Sequence, residues 1–242
     1  MMEHETLAGR VVLVAGGAGG LGAAICAMLG AEGASVVVAD IDRPGAERQA
    51  QRLNEAGASA HAAAMDIGSE PQVAAALGSA VERYGKLDAV VNSAGIDAKA
   101  SVADLDLATW ERVLRTNLTG PFLLAKLAGQ RLVPGGHVVN IVSATVRRTW
   151  PDASAYHASQ WGLMGLSHAL HAELRGMGLK VSAVIAGRMR TPFMRDRYPG
   201  LDDGCQQDPE NVARAVRFVL TQPGETVVPE VRVEPMQETP WP

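Results

Sequence analysis

Cysteine is scarce in this sequence, and aromatic residues and runs of one charge are scarce too. The two cysteines among 242 residues, Cys26 and Cys205, predict neither a disulfide framework nor a zinc site. A reducing cytoplasm is therefore the expected compartment. The first six residues include Glu3 and Glu5 and lack an apolar run, so we expect no secretory signal peptide there.

Charge and hydropathy narrow the range of partners. The net charge of −4 comes without any Lys/Arg run, so nucleic acid is not an expected partner. Residues 11–31 are uncharged and long enough to imitate a membrane span, but their six glycines favour a buried strand, turn and helix. We therefore expect no membrane contact. No repeat or Pro/Gly/Ser-rich linker divides the chain, so residues 1–242 are predicted to form one domain.

A glycine-rich turn follows the first apolar run. Residues 11–15 are apolar, residues 16–22 read Gly-Gly-Ala-Gly-Gly-Leu-Gly, and residues 23–29 are good helix-forming sequence. Glycine lets the backbone approach a ligand closely, and a helix N-terminus offers N–H groups to a pyrophosphate. The order of strand, turn and helix is typical of dinucleotide-binding proteins. Two registers fit, Gly17/Gly19/Gly22 and Gly16/Gly20/Gly22; a tight turn without a ligand is the alternative.

An acidic residue ends the second predicted strand. The run 34–39 leads into Asp40, about 20 positions past the glycines, where a carboxylate accepts the ribose hydroxyls of a dinucleotide. The same carboxylate repels a 2′-phosphate, and no Lys or Arg lies within the turn, so NAD is favoured over NADP. Arg43 argues against this preference, because its guanidinium could turn toward the 2′-phosphate of NADP. The alternative role for Asp40 is a carboxylate at a helix N-terminus.

Strand-like and helix-like segments alternate along the rest of the chain. The further predicted strands are 58–65, 87–91, 136–143, 180–185 and 226–233, and the predicted helices are 43–56, 70–84, 105–132, 153–177 and 209–221. Pro121 marks a possible kink or junction in the long helix 105–132. Alternation at crossover length predicts a doubly wound α/β fold, a Rossmann-type parallel sheet of about seven strands with helices on both faces.

Several motifs in this order resemble the short-chain dehydrogenase/reductase family, in its compact single-domain branch. The resemblance covers roughly residues 7–233. It rests on the glycine turn and on these further positions: Asp40, Asp66, Asn92-Ser93-Ala94-Gly95, Asn117, Ser143, Tyr156, Gly187 and Thr191. The family implies an oxidoreductase that interconverts a ketone and a secondary alcohol by hydride transfer with NAD.

The resemblance implies roles for the chemistry-bearing residues. Ser143 would bond the substrate oxygen, Tyr156 would act as general acid/base on it, and Asn117 would hold a water in a proton relay. A hydroxyl donor and a proton donor on one oxygen stabilise a developing alkoxide. The implied cofactor-binding positions are Gly16, Gly20, Leu21, Gly22, Asp40, Asp66, Ile67, Asn92, Ala94, Gly95, Tyr156, Gln160, Gly187 and Thr191.

One departure from the family pattern concerns the chemistry. The family reads Tyr-x-x-x-Lys, whereas this chain reads Tyr156-His157-Ala158-Ser159-Gln160. Positions i and i+4 share a helix face, so Gln160 lies where the lysine that lowers the tyrosine pKa should be. Glutamine brings no charge, and losing a two-unit shift removes about 2.7 kcal/mol of differential stabilisation. Alcohol oxidation, which starts from phenolate, should suffer more than carbonyl reduction. Ala15 and Ala186 are smaller departures.

Gln160 leaves several interpretations open. The first is an active oxidoreductase that tolerates glutamine, in natural or engineered form. The second is a non-catalytic NAD(H)-binding relative, a scaffold or sensor, and the third uses the same cavity for chemistry other than net hydride transfer. A glycine turn that serves S-adenosylmethionine is a rival at the level of the fold, which Tyr156 and Ser143 disfavour.

Other segments suggest substrate and subunit contacts. Residues 192–207 lie where the family carries a substrate loop, and a mobile lid is expected there. Helices 105–132 and 153–177 are expected to build a homodimer or tetramer, as the family implies. The Pro-rich tail 234–242 is expected to dock through Trp241. Further candidates are His157 as a catalytic substitute, Arg147 and Arg148 at an anion-attracting mouth, Trp150 and Met189 in an apolar substrate pocket, and His168 and His171, which lack a third metal ligand.

Overall fold

The computed structural model describes residues 6–200 and 203–237. Within them, seven strands form one sheet: β1 Val11–Ala15, β2 Ser35–Asp40, β3 Ser59–Ala64, β4 Ala89–Asn92, β5 His137–Ser143, β6 Lys180–Ala186 and β7 Glu230–Val233. Their order is β3-β2-β1-β4-β5-β6-β7, and every neighbouring pair is parallel. The order reverses between β1 and β4, where a crevice opens at the carboxyl ends of the strands.

Helices cover both faces of the sheet. Their bounds are α1 Gly20–Ala31, α2 Arg43–Glu55, α3 Glu70–Tyr84, α4 Leu107–Leu114, α5 Gly120–Ala128, α6 Ser154–Leu174, α7 Pro192–Arg197 and α8 Pro209–Leu220. One core joins α1, α2 and α8 to the face carrying Val12 and Val14, and the other joins α3, α5 and α6 to the face carrying Val11 and Leu13. Strand β1 is apolar throughout because both of its faces are buried. This confirms the predicted α/β class.

The long helix predicted over 105–132 is interrupted. Helix α4 ends at Leu114, a π-helical turn covers Arg115–Thr119, and α5 follows. Pro121 has no N–H, so it cannot donate the α-helical bond to the Asn117 carbonyl, and the Gly120 N–H donates five residues back to Arg115. The interruption therefore lies in the turn that precedes the proline.

Two further boundaries differ from the predictions. The last strand begins at Glu230 rather than 226, because residues 223–226 form a turn and Pro229 has no N–H to give the sheet. The predicted substrate loop begins as helix α7, which Thr191 caps by accepting a bond from the Met194 N–H and which Pro192 begins favourably. Among the described residues, no helix is long and apolar enough to cross a bilayer.

Candidate active site

A cavity of about 710 Å³ opens at the carboxyl ends of the strands. We call it the main cavity. Its walls come from the glycine turn after β1, from the residues that follow β2 to β6, and from α6 and α7. The predicted site residues on these walls are Gly16, Gly20, Leu21, Gly22, Asp40, Asp66, Ile67, Ala94, Gly95, Ser143, Tyr156, Gln160, Gly187 and Thr191.

The glycine turn packs so closely on neighbouring backbone that side chains are excluded at several of its positions. Gly16 has φ +77°, and a Cβ there would lie 2.7 Å from the Ala94 nitrogen; a Cβ on Gly22 would overlap the Gly16 carbonyl oxygen. Gly20 also has a positive φ, whereas a Cβ on Gly19 would meet nothing within 4 Å. All three members of the register Gly16/Gly20/Gly22 are constrained, whereas the register Gly17/Gly19/Gly22 includes the unconstrained Gly19. The N-cap residue of α1 is Gly19, which has no side chain to cap the helix, so the first N–H groups can bind an anion.

Asp40 orders this turn. Its carboxylate accepts bonds from the Ala18 and Asp42 N–H groups, each at 2.9 Å, and faces the main cavity. Arg43 is largely exposed and pairs with Glu47 at 2.8 Å, one helical turn along α2. Arg43 therefore lies away from the cavity wall and is already paired.

Asp66 and Ile67 lie at the far end of the same cavity. Asp66 accepts a bond from the Gly68 N–H at 2.8 Å and pairs with Arg115 at 3.2 Å. Arg115 also lines the cavity, and sequence reasoning missed it. The π-helical turn Arg115–Thr119 places Arg115 on the cavity wall. Nothing in the sequence of the predicted helix indicates that turn. Ile67 packs so closely on Gly120 that a Cβ on Gly120 would lie 2.7 Å from it.

Asn92 and Asn117 lie behind the cavity wall, each 1% exposed. Asn117 accepts from the Ile96 N–H at 2.9 Å, donates to the Ile96 carbonyl at 2.8 Å, and donates to the Ser159 hydroxyl at 3.0 Å. Ser159 in turn donates to the Tyr156 carbonyl at 2.7 Å. Asn117 thereby ties the loop after β4 to the helix that carries the tyrosine. The side-chain nitrogen and oxygen of Asn92 have no hydrogen-bond partner within the described ranges.

Gln160 makes a contact that lysine could not make. Its Oε1 accepts a bond from the backbone N–H of Ser143 at 2.8 Å. The Ser143 Oγ accepts from the Thr145 N–H at 3.2 Å, which leaves its hydroxyl proton available to another acceptor. A lysine ammonium only donates, so it would leave the Ser143 N–H without this acceptor. Gln160 thus fixes the backbone of the serine.

Tyr156 stands between Ser143 and helix α7. Burial raises the pKa of Tyr156 to about 12, the Ser143 hydroxyl opposes that rise, and the Asp97 carboxylate adds to it. The ring lies 5.9 Å from the Phe193 ring, centroid to centroid. The phenol is therefore neutral near neutral pH, in the protonation state of a proton donor.

Gly187 and Thr191 close the wall opposite the glycine turn. The Gly187 N–H donates to the Val233 carbonyl at 2.8 Å, which fixes the end of β6. A Cβ on Gly20 would lie 3.6 Å from the Thr191 side chain, so the cavity is narrow between these residues.

Several secondary candidates have other environments. His157 accepts a bond from the Trp150 N–H at 3.0 Å, so its Nε2 is unprotonated and engaged. Met189 lines the main cavity, but neither Arg147 nor Arg148 lies on a wall of the two cavities described. His168 bonds Glu230 at 2.6 Å, and the described residues contain no metal-type cluster of three or more. Outside the described residues lie Leu201 of the predicted loop and Trp241 of the predicted tail.

A second cavity of about 60 Å³ adjoins the phenol and contains Trp150, Tyr156 and Phe193 in its wall. We call it the side cavity. Asp97 and Arg197 meet there in an ion pair of 2.6 Å, with side chains only 9% and 7% exposed. Arg197 also donates to the Asp152 carbonyl at 3.0 Å, so it joins α7 to two loops. Sequence reasoning missed this pair, because 100 positions separate its members and no motif links them.

Comparison with known proteins decides the family. A family model described as short chain dehydrogenase matches residues 10–201. The chain belongs to the short-chain dehydrogenase/reductase family. Members interconvert hydroxyl and carbonyl groups with a nicotinamide dinucleotide, so this protein is an oxidoreductase acting on alcohols or ketones with NAD or NADP.

Relatives within the family have different substrates in their names. 2-(S)-hydroxypropyl-CoM dehydrogenase 3 of Xanthobacter autotrophicus is 33% identical over 231 residues, covering 89% of this chain and 91% of that one. Trans-4-hydroxycyclohexanecarboxylate dehydrogenase of Sinomonas cyclohexanicum is 34% identical over 212 residues, covering 85% and 80%. A dehydrogenase/reductase crystal structure from Sinorhizobium meliloti has a TM-score of 0.87 at 29% identity and covers 96% of each chain.

Proposed function

We propose that this short-chain dehydrogenase interconverts a ketone and a secondary alcohol with NAD(H), and that it favours reduction near neutral pH. The observation that carries the proposal is that Ser143 and Tyr156 share one cavity with the glycine turn and Asp40. The cavity is narrow between Gly20 and Thr191, which suits a flat ring there.

Ser143 and Tyr156 act on the same substrate oxygen. The Ser143 hydroxyl donates a hydrogen bond to the carbonyl oxygen, since its own oxygen already accepts from the Thr145 N–H. Tyr156 gives its phenolic proton to that oxygen as negative charge develops on it. Oxidation reverses these transfers and needs the phenolate, which the raised pKa of Tyr156 makes scarce at neutral pH.

The cofactor positions fit a dinucleotide. Gly16 and Gly22 let the turn pack on the backbone of Ala94 and of Gly16, the start of α1 would hold the pyrophosphate, and Asp66 would face the adenine. Asp40 would accept the ribose hydroxyls and repel a 2′-phosphate, which favours NAD over NADP. When bound, the nicotinamide supplies or takes up the hydride.

Gln160 has two roles in this proposal. Its carbonyl oxygen holds the Ser143 N–H, and its NH₂ group remains as a donor for the nicotinamide ribose. It supplies no positive charge to Tyr156. The absence of that charge is what favours a second candidate, a non-catalytic NAD(H)-binding member of the family.

Self-association is a further part of the proposal. Phe122 on α5 and Trp161 on α6 are large, apolar and exposed. Both lie on the helices that the family resemblance assigns to subunit contacts, so we expect a homodimer or homotetramer.

The test is a steady-state assay of nicotinamide absorbance with ketones, alcohols, NADH and NADPH, beside a separate titration of cofactor binding. We expect ketone turnover with NADH, weaker use of NADPH, and slow alcohol oxidation below pH 9. Tight NADH binding with no turnover on any substrate, restored by Gln160→Lys, would favour the non-catalytic candidate.

A further inference from the structure

The side cavity is small and lies beside the phenol of Tyr156. Its volume of about 60 Å³ holds about four to six water-sized groups, which suits one short functional group rather than a large ring. Tyr156 and Ser143 are among the six residues that line both cavities, so the two cavities adjoin at the phenol and a carbonyl held there would lie beside the side cavity.

Two polar atoms of side chains on this wall lack partners. The Nη1 of Arg197 and the Oγ1 of Thr145 are buried and, within the described ranges, accept or donate no hydrogen bond. Arg197 engages its other groups with Asp97 and the Asp152 carbonyl. Buried polar groups are nearly always satisfied, so two orphans at one cavity indicate a ligand that brings acceptor oxygens.

The charge of the wall indicates the sign of that ligand. The charged side chains on it are Arg188, Arg197 and Asp97, which sum to a formal charge of +1. The Arg188 guanidinium lies 5.7 Å from the Trp150 ring centroid. A guanidinium nitrogen and a hydroxyl are both donors to a carboxylate, and charge-assisted bonds of this kind are the strong ones.

We propose that the substrate is a short oxo acid, or the corresponding hydroxy acid, whose carboxylate binds Arg197 and Thr145 in the side cavity. Its carbonyl oxygen then lies at Ser143 and Tyr156. This inference rests on the proposed function, because it assigns the substrate class of the same site. Arg197 is here a binding residue, and Asp97 is the counter-charge that keeps it oriented.

The test compares acids with their esters. Pyruvate, acetoacetate and levulinate place the ketone at three distances from the carboxylate, and each is assayed against its methyl ester. At least one acid should have the higher kcat/KM. Arg197→Met should lower the acid-to-ester ratio of kcat/KM about ten- to a hundredfold, and Thr145→Val about three- to tenfold.

Asp97→Asn separates binding from a structural role. It removes the counter-charge and keeps a similar shape. If Arg197 binds the carboxylate, the acid should bind at least as well, and the acid-to-ester ratio of kcat/KM should stay the same or rise. If the ion pair only fastens α7, Arg197→Met and Asp97→Asn lower acid and ester turnover alike. An unchanged ratio in Arg197→Met would overturn the proposal.

A binding measurement distinguishes failure of this inference from failure of the proposed function. Propionate, which cannot react, is titrated by calorimetry into protein saturated with NADH. Binding lost in Arg197→Met, with no ketone turnover in any assay, supports the carboxylate site and contradicts the oxidoreductase activity. Ketone turnover without acid preference and without propionate binding overturns the site and leaves the activity intact.

Discussion

Gln160→Lys should make the protein less stable and a better alcohol dehydrogenase at the same time. The substitution removes the acceptor of the Ser143 N–H, whose bond to Gln160 is 2.8 Å long in a partly buried setting. Leaving such a donor unsatisfied costs about 1–3 kcal/mol of unfolding free energy. The new ammonium would lie near Tyr156, and an opposite charge within reach lowers an acid's pKa by about 1–3 units.

The kinetic effect has a defined direction. Each unit by which the pKa of Tyr156 falls raises the phenolate fraction about tenfold at neutral pH, which is about 1.4 kcal/mol. Alcohol oxidation near pH 8 should therefore rise at least about tenfold, while ketone reduction, which starts from the neutral phenol, should change much less. The pH at which oxidation reaches half its maximum should move downward from above 10.

The assay pairs urea unfolding with steady-state kinetics in both directions. Gln160→Met is the matched control, since it loses the acceptor without adding a cation. It should lose the same stability as Gln160→Lys and gain no oxidation rate. The reasoning is refuted if Gln160→Met is as stable as the parent protein, or if Gln160→Lys leaves the oxidation-to-reduction ratio unchanged.

Three other changes have defined outcomes. Gly22→Ala should abolish dinucleotide binding in a calorimetric titration and lower stability, because its Cβ would overlap the Gly16 carbonyl oxygen; retained NADH affinity would contradict the described turn. Asp40→Asn should raise the affinity for NADPH relative to NADH, since it removes the negative charge while keeping one acceptor for the Ala18 or Asp42 N–H; equal selectivity before and after would count against Asp40. Burial, Lys180 and Arg10 lower the pKa of His137 to about 3. The contribution of neutral His137 to the free energy of unfolding should therefore be fully present above pH 6.5 and be lost as the pH drops toward 3, with a total loss on the order of 4–5 kcal/mol. His137→Gln should flatten that pH dependence in urea unfolding, and an unchanged slope would refute this source of acid sensitivity.

Much of the fold follows from local pattern. Strands such as Val11–Ala15 are apolar on both faces, and that signal survives without any knowledge of neighbours. The sequence predicts the interruption at Arg115–Thr119 only as a kink or junction at Pro121, because a π-helical turn leaves no periodicity of its own. The sequence of residues 192–207 is typical of a loop, so the short helix Pro192–Arg197 is not predicted. Thr191 at the N-cap and Pro192 at the first helical position are nevertheless favourable residues for starting a helix.

The candidate site also contains some residues that the sequence predicts and some contacts that it does not. Positions such as Ser143 and Tyr156 are assigned by the family resemblance, and the predicted strand end and helix start place them in the fold. The bond from the Ser143 N–H to Gln160 could not be anticipated, since the notable feature in the sequence was a missing charge. The pair Asp97–Arg197 has no signal in the sequence, because only the fold brings the loop after β4 next to helix α7.

The most direct test of the account concerns the phenol of Tyr156. NADH oxidation is followed at neutral pH with the best ketone of the panel, for the parent protein and for Tyr156→Phe, after NADH affinity has been shown to be equal in both. The account predicts turnover by the parent protein and a loss of at least about a hundredfold in Tyr156→Phe, the range expected for a general acid. Equal turnover by the two proteins would contradict it.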